Sequence, residues 1–255
     1  MPGFVAELRP DLVVVSGDLT QRAKPLQFQE ARALVERIVV PTLVVPGNHD
    51  VPLYRVWERL FSPYGAYRSH FSTETEPIYR DDQMLVVGVN SAHGLTFTQG
   101  RIRKSRLERL ERQFAEEPQG VLKVAVIHHL LVPPPGFGHQ DILTNAGRTV
   151  EVLTRCGVEL VLSGHYHQAF VASSEEFYPA GRPDLWVLAS GTSSSSRGRA
   201  AERGKNSCFS IDVEPGKIVV THWRWVDERG GFRPRAIHRF GRHGASAVTT
   251  VEFSG

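Results

Sequence analysis

The 255-residue chain has only two cysteines, two methionines and five lysines. Cys156 and Cys208 form no Cys-x-x-Cys pair, so they supply neither a disulfide framework nor a thiolate metal cage, and both read as free thiols. Apolar runs are short. Residues 12–15 are a typical stretch, far below the roughly 20 residues that span a bilayer. No basic amino-terminal segment leads into an apolar core and a small-residue cleavage site. These absences predict a cytoplasmic chain with no membrane partner. With 41% hydrophobic and 22% charged residues, collagen, long coiled coil and wholesale disorder are excluded as well.

Charge is unevenly spread. Residues 1–181 hold 18 Lys and Arg against 20 Asp and Glu, whereas residues 182–255 hold 12 against 7. The basic residues of the second stretch are scattered among turns and acids rather than gathered on one periodic face, which argues against a stable nucleic-acid partner. Small anionic substrates remain compatible with the pattern. There is no internal repeat, and the serine run at 193–196 is too short to carry a reading.

The first two thirds alternate strand-like and helix-like segments. Residues 12–16 are a buried-strand run stopped by Gly17. Residues 25–38 follow at helical spacing, with Phe28, Ala31, Leu34, Val35 and Ile38 on one face and Pro25 tolerated in the first turn. Further strands are predicted at 42–45, 84–89, 121–127 and 159–162. One helix carries Leu107, Leu110 and Phe114 behind a capping box of Ser105 and Glu108. Another spans 145–156 and stops at Gly157. Beyond about residue 185 the pattern becomes β-rich, with strands at 185–189, 208–213, 218–225 and 236–240 and a hairpin turn at 214–217. The expectation is one domain over 1–255, an α/β part to 181 followed by a β-rich part, layered as a sandwich.

Chemistry-bearing residues stand directly after the apolar strands, where open α/β sheets build their sites. The first strand ends in Gly17-Asp18, the second in Gly47-Asn48-His49-Asp50, a later one in His128-His129, and another in Gly164-His165-Tyr166-His167. Taken singly, each has an ordinary explanation: Asp18 as a turn or helix cap, Asn48 to Asp50 as turn chemistry, His128 and His129 as packed core. Recurrence at four strand ends makes coincidence a poor account. A carboxylate, an amide oxygen and several imidazoles without thiolate suit manganese, iron, zinc or similar divalent ions.

In these residues and their order the sequence resembles the calcineurin-like metallophosphoesterase superfamily, and within it the bacterial class III cyclic-nucleotide phosphodiesterases. The resemblance implies a four-layer α/β/β/α sandwich with two mixed sheets and a centre of two divalent metals. Asp18 would bridge the two metals. Asn48, His128 and His165 would complete one site, with His129 as the alternative to His128, and His167 would belong to the other. His49 would meet the substrate phosphate and assist the leaving group, oriented by Asp50. The implied substrate is a small phosphodiester, a cyclic nucleotide first, or a phosphomonoester. The loop at 133–139 is expected near the pocket, with Phe137 as a platform for an apolar leaving group and His139 near phosphate.

The sequence departs from the family pattern in one respect. The Asp-x-His that opens that pattern is absent from residues 1–17, and residues 3–8 read as the tail of a helix. The expectation is therefore a sheet without its first strand, through a late recorded start or natural degeneration. One metal site then has four ligands and the other only Asp18 and His167. The rival to an enzyme is a non-catalytic phosphoesterase-like binding protein with one metal or none.

Overall fold

The computed structural model describes residues 1–94, 98–118, 120–136, 142–179, 185–195, 197–199, 202–242 and 249–253. Phe137 and His139 lie outside these residues. In chain order the first half comprises α1 (Pro2–Leu8), β1 (Val13–Val15), α2 (Pro25–Val35), β2 (Thr42–Val44), α3 (Val56–Phe61), α4 (Gly65–His70), β3 (Ile78–Arg80), β4 (Met84–Val89) and α5 (Lys104–Ala115). The second half comprises β5 (Leu122–Ile127), α6 (Ala146–Arg155), β6 (Leu160–Ser163), β7 (Phe170–Ser173), β8 (Trp186–Ala189), β9 (Ser207–Glu214), β10 (Lys217–Val226), β11 (Gly231–Gly241) and β12 (Thr249–Glu252).

Six strands form the central sheet in the order β3-β4-β5-β6-β8-β7. Its inner strands β4, β5, β6 and β8 run parallel in the register Val86 to Val124 to Leu160 to Trp186, and β3 and β7 close its edges antiparallel. Alternate residues of a strand face opposite sides, and here both sides are buried. Leu85, Val87, Ala125, Ile127 and Val161 pack against Leu107, Leu110 and Phe114 of α5 and Val150 and Leu153 of α6. Val86, Val124, Val126, Leu160 and Leu188 pack the other way, against Leu43 of β2 and Ile218, Val220 and Phe240 of a second sheet.

That second sheet is the antiparallel array β12-β11-β10-β9. Gly216, at a φ of 78°, turns the β9–β10 hairpin. From its outer side α1 sets Phe4 against Trp223 and Phe232, with ring centroids 5.2 and 4.7 Å apart. The layers are thus helix, sheet, sheet, helix. Parallel and antiparallel pairings are divided among three sheets, because β1 and β2 form a parallel pair of their own. No helix among the described residues is long and apolar enough to cross a membrane.

Two local expectations need correction. Arg103, not Ser105, occupies the N-cap of α5, and no side chain caps that helix. Ser105 sits inside the first turn, where it has no orphan amide ahead of it to satisfy. Helix α2 ends at Val35, and residues 36–38 continue only as turns closed by Arg37 N–H to Leu34 O and Ile38 N–H to Val35 O. Strands β3, β7 and β12 had no sequence reading. The first two are edge strands of three and four residues, too short for a period to register.

Candidate metal centre

Parallel strands point their carboxyl ends the same way, so the segments after β5 and β6 arrive side by side. The Gly164 amide donates to His128 O at 3.1 Å. The β1–β2 pair delivers Asp18 and Asn48 to the same place. His49 N–H donates to Asp18 Oδ1 at 3.1 Å. His128 Nε2 lies 3.1 Å from Asn48 Oδ1 and 3.3 Å from Asp18 Oδ1. His165 Nδ1 lies 2.9 Å from the same Asn48 oxygen. Residues from four strand ends, spread over nearly 150 positions, meet around one amide.

The backbone is held in an unusual state to achieve this. Among the described residues five non-glycine positions have positive φ, and three of them are Asp18 (57°), His165 (68°) and His167 (59°). Such positions cost on the order of 1–3 kcal/mol when the residue is not glycine. Strain concentrated on the residues with chemical side chains points to a built site.

His128 Nδ1 contacts Ser16 O at 2.7 Å. A carbonyl only accepts, so Nδ1 carries the proton. In the neutral ring Nε2 then presents a lone pair to Asn48 Oδ1 and Asp18 Oδ1, and three acceptor atoms face one another. Asp18 Oδ2 is buried without a hydrogen-bond partner. Burial opposes ionisation of Asp18, but His128, His49 and His165 around it, with the His49 amide, hold its carboxyl below the ordinary value. An anionic, partly orphaned carboxylate beside facing lone pairs is what a cation would relieve. The spacings also match the roughly 3.0–3.4 Å between ligand atoms at about 2.1 Å from one ion. Among the described residues no three His, Cys, Asp or Glu side chains form a metal-holding group by themselves; the cluster depends on the Asn48 amide.

Burial, with His128 beside it, pushes His165 down to about 3. Burial followed by the nearby Arg197 cation pushes His167 down to about 4, against the pull of Asp18. Both rings are neutral at pH 7, the form that ligates.

His129 points elsewhere. Its Nδ1 meets Ser91 Oγ at 2.8 Å, its ring is fully buried, and burial holds its pKa well below the ordinary value. Of the two adjacent histidines, it is His128 that reaches Asp18 and Asn48.

Asp50 requires a correction. Its buried carboxylate accepts from the amides of Leu19, Thr20 and Gly47 at 3.2, 2.9 and 2.9 Å, and from Thr20 Oγ1 at 3.0 Å. It does not touch the His49 ring. The physical reason is geometric: in the 3-10 turn Asn48–Asp50, successive side chains leave about 120° apart, so Asp50 faces inward when His49 faces out. Burial and the neighbouring Asp18 charge push Asp50 up to about 7 despite those bonds. The His49 ring is oriented instead by Gln21 O, 2.9 Å from Nδ1, and by Arg197, whose Nη2 lies 3.1 Å from Nε2. Sequence reasoning missed both. Arg197 lies eight residues beyond the end of β8, too far from a strand end for the rule that found the other residues to reach it.

Residues 2–169 match the family model described as calcineurin-like phosphoesterase. A probable cyclic nucleotide phosphodiesterase from a Synechococcus species is 32% identical over 174 residues, covering 66% of this chain and 62% of that protein. The 3′,5′-cyclic adenosine monophosphate phosphodiesterase of Escherichia coli K12 is 27% identical over 161 residues, covering 62% and 54%. The chain thus spans less than two thirds of the length of these two curated relatives. A dimetal phosphatase from Danio rerio shares the fold, with a TM-score of 0.57 at 11% identity over 98% of this chain and 86% of that one.

Proposed function

The chain belongs to the calcineurin-like phosphoesterase family, and from that premise we propose that it is a divalent-metal-dependent phosphoesterase hydrolysing a small phosphodiester, a cyclic nucleotide first among candidates. The names of the two curated relatives support that substrate class. The observation that carries the reading is the convergence of His128 Nε2, Asn48 Oδ1 and Asp18 Oδ1 beside the orphaned Asp18 Oδ2. We assign Asp18, Asn48, His128 and His165 to one divalent ion such as manganese, iron or zinc. Asp18 and His167 are the start of a second site.

A divalent ion bound there supplies positive charge for phosphoryl oxygens and acidifies water. The protein's own part is positional. The His49 amide fixes the Asp18 carboxylate, and Ser16 O fixes the His128 ring with Nε2 directed at the cluster. His49 donates an Nδ1–H hydrogen bond to Gln21 O, which leaves Nε2 as the atom that takes up a proton from solvent and gives it to the leaving-group oxygen. Asp50 is a positioning residue: it ties the Gly17–Gln21 and Gly47–Asp50 turns together through four hydrogen bonds.

A second reading has its own observation, the dependence of the cluster on Asn48, since among the described residues no three His, Cys, Asp or Glu side chains form a metal-holding group. It is a phosphoesterase-like binding protein that holds one ion and does not turn over. Elemental analysis of purified protein, with hydrolysis of bis(p-nitrophenyl) phosphate and a cyclic nucleotide in added manganese, separates the two. The enzyme reading expects bound metal and turnover, both lost in Asp18→Ala. Bound metal with no turnover of any phosphodiester favours the binding protein.

A further inference from the structure

Arg197 stands out because its guanidinium faces a neutral partner. Arginine only donates, so His49 Nε2 accepts the contact at 3.1 Å. The side chain is half-buried, and among the described residues no carboxylate lies within ion-pair distance of it. A permanently charged group in that setting is under-used: a guanidinium bonds a carboxylate or phosphate in a two-pronged fork more strongly than it bonds one imidazole nitrogen.

The segment that carries Arg197 is fixed from several sides. Arg199 N–H donates to His167 O at 2.9 Å. The buried Glu202 carboxylate accepts from the Ala169 amide at 3.0 Å and Ser207 Oγ at 2.7 Å, and pairs with His222 Nε2 at 2.9 Å. Asn206 Nδ2 donates to Ser195 O at 2.9 Å and Ser207 N–H to Thr192 O at 2.8 Å. At Gly198 a Cβ would collide with the Glu202 carbonyl oxygen, so the backbone between the two arginines is packed too closely for a side chain. These anchors tie the segment to the strand end that bears His165 and His167. The reach of Arg197 to His49 is therefore set by the fold.

We propose that Arg197 is a phosphate-binding residue of the substrate site: the non-bridging oxygens of an incoming phosphodiester replace His49 Nε2 as its partner. The same exchange frees Nε2 for proton transfer, so binding of the anion and release of the acid–base group are one event. This rests on the phosphodiesterase reading for its substrate, though not for its anion.

The test uses the metal-loaded protein and two probes, orthophosphate by calorimetry and bis(p-nitrophenyl) phosphate by steady-state kinetics. Arg197→Ala is expected to weaken orthophosphate and raise KM by about 10- to 100-fold, with metal content and Tm unchanged, and added guanidinium ion should restore part of the loss. Arg197→Lys, which keeps the charge without the fork, should fall between and decides the matter by the same constants if the alanine variant does not fold. Orthophosphate affinity and KM within twofold of the parent would overturn the assignment, as would loss of metal in both variants. If the parent protein binds orthophosphate through Arg197 but hydrolyses nothing, the phosphodiesterase reading fails and the Arg197 assignment stands.

Discussion

Gly47→Ala tests the claim that the site is assembled by close approach of backbones. Gly47 has φ −97° and ψ −177°, a conformation that alanine adopts freely, so any loss must come from contact rather than strain. A Cβ there would collide with Asp18 Oδ1 and the Asp18 amide nitrogen, and would stand 2.8 Å from His128 Cε1. Ordinary carbon–carbon contact is about 3.5–4.0 Å, so the His128 ring alone must retreat by about 0.7 Å, and the Asp18 backbone must move too. Forcing a methyl into a packed site costs about 1–3 kcal/mol, or about 2–12 °C in Tm for a chain of this size. The larger effect is on function, since relief of the clash drives Asp18 and His128 apart and opens the 3.3 Å spacing between them. Metal affinity, titrated by calorimetry, should fall by at least tenfold. Gly3→Ala is the control, because a Cβ there meets nothing within 4 Å. A Gly47→Ala protein with parental metal affinity and Tm would refute the reasoning.

Two further outcomes are expected. His128→Ala, at an equally buried position, should abolish metal binding and also cost about 2–4 kcal/mol of stability. His129→Ala, which empties a fully buried position and strands Ser91, should cost about 2–4 kcal/mol while leaving metal affinity near the parental value; equal loss of metal in both would sink the distinction. Burial opposes ionisation of Glu202, but His222 2.9 Å away, with hydrogen bonds from Ser207 and the Ala169 amide, brings its carboxyl below the ordinary glutamate value. The unfolded chain then binds more protons across that interval, so this contribution is complete above the unfolded pKa and is lost as pH falls through the folded one. Thermal melts from pH 7 to pH 3 should show a steeper acid loss for the parent than for Glu202→Gln, and parallel curves would count against the buried pair.

Much of the fold and the site was legible because the relevant information is local. An apolar run favours a strand wherever it sits, buried at Leu122–Ile127 and only half-buried at Val13–Val15, and the residue that follows must emerge at that strand's carboxyl end. Asp18, Asn48, His128, His165 and His167 were found by that rule, as was the buried face of α5 by its helical period. The rule placed these residues at strand ends; it could not say which way each side chain turned.

Direction was decided by contacts between distant parts of the chain. His128 was separated from His129 by Ser16 O and Asn48, 112 and 80 residues away in sequence. Asp50 was turned from the His49 ring by the amides of Leu19 and Thr20. Arg197, directly after a run of serines with no pattern of its own, was brought to His49 across 148 residues because β8 runs parallel to β6 and its following segment is anchored on Glu202. Sequence by itself determined the longer inner elements and the chemistry available at their ends, since strand and turn formation depend on near neighbours. Only the tertiary structure decided which of those groups face one another, because that depends on strand order and register, which no local stretch of residues encodes.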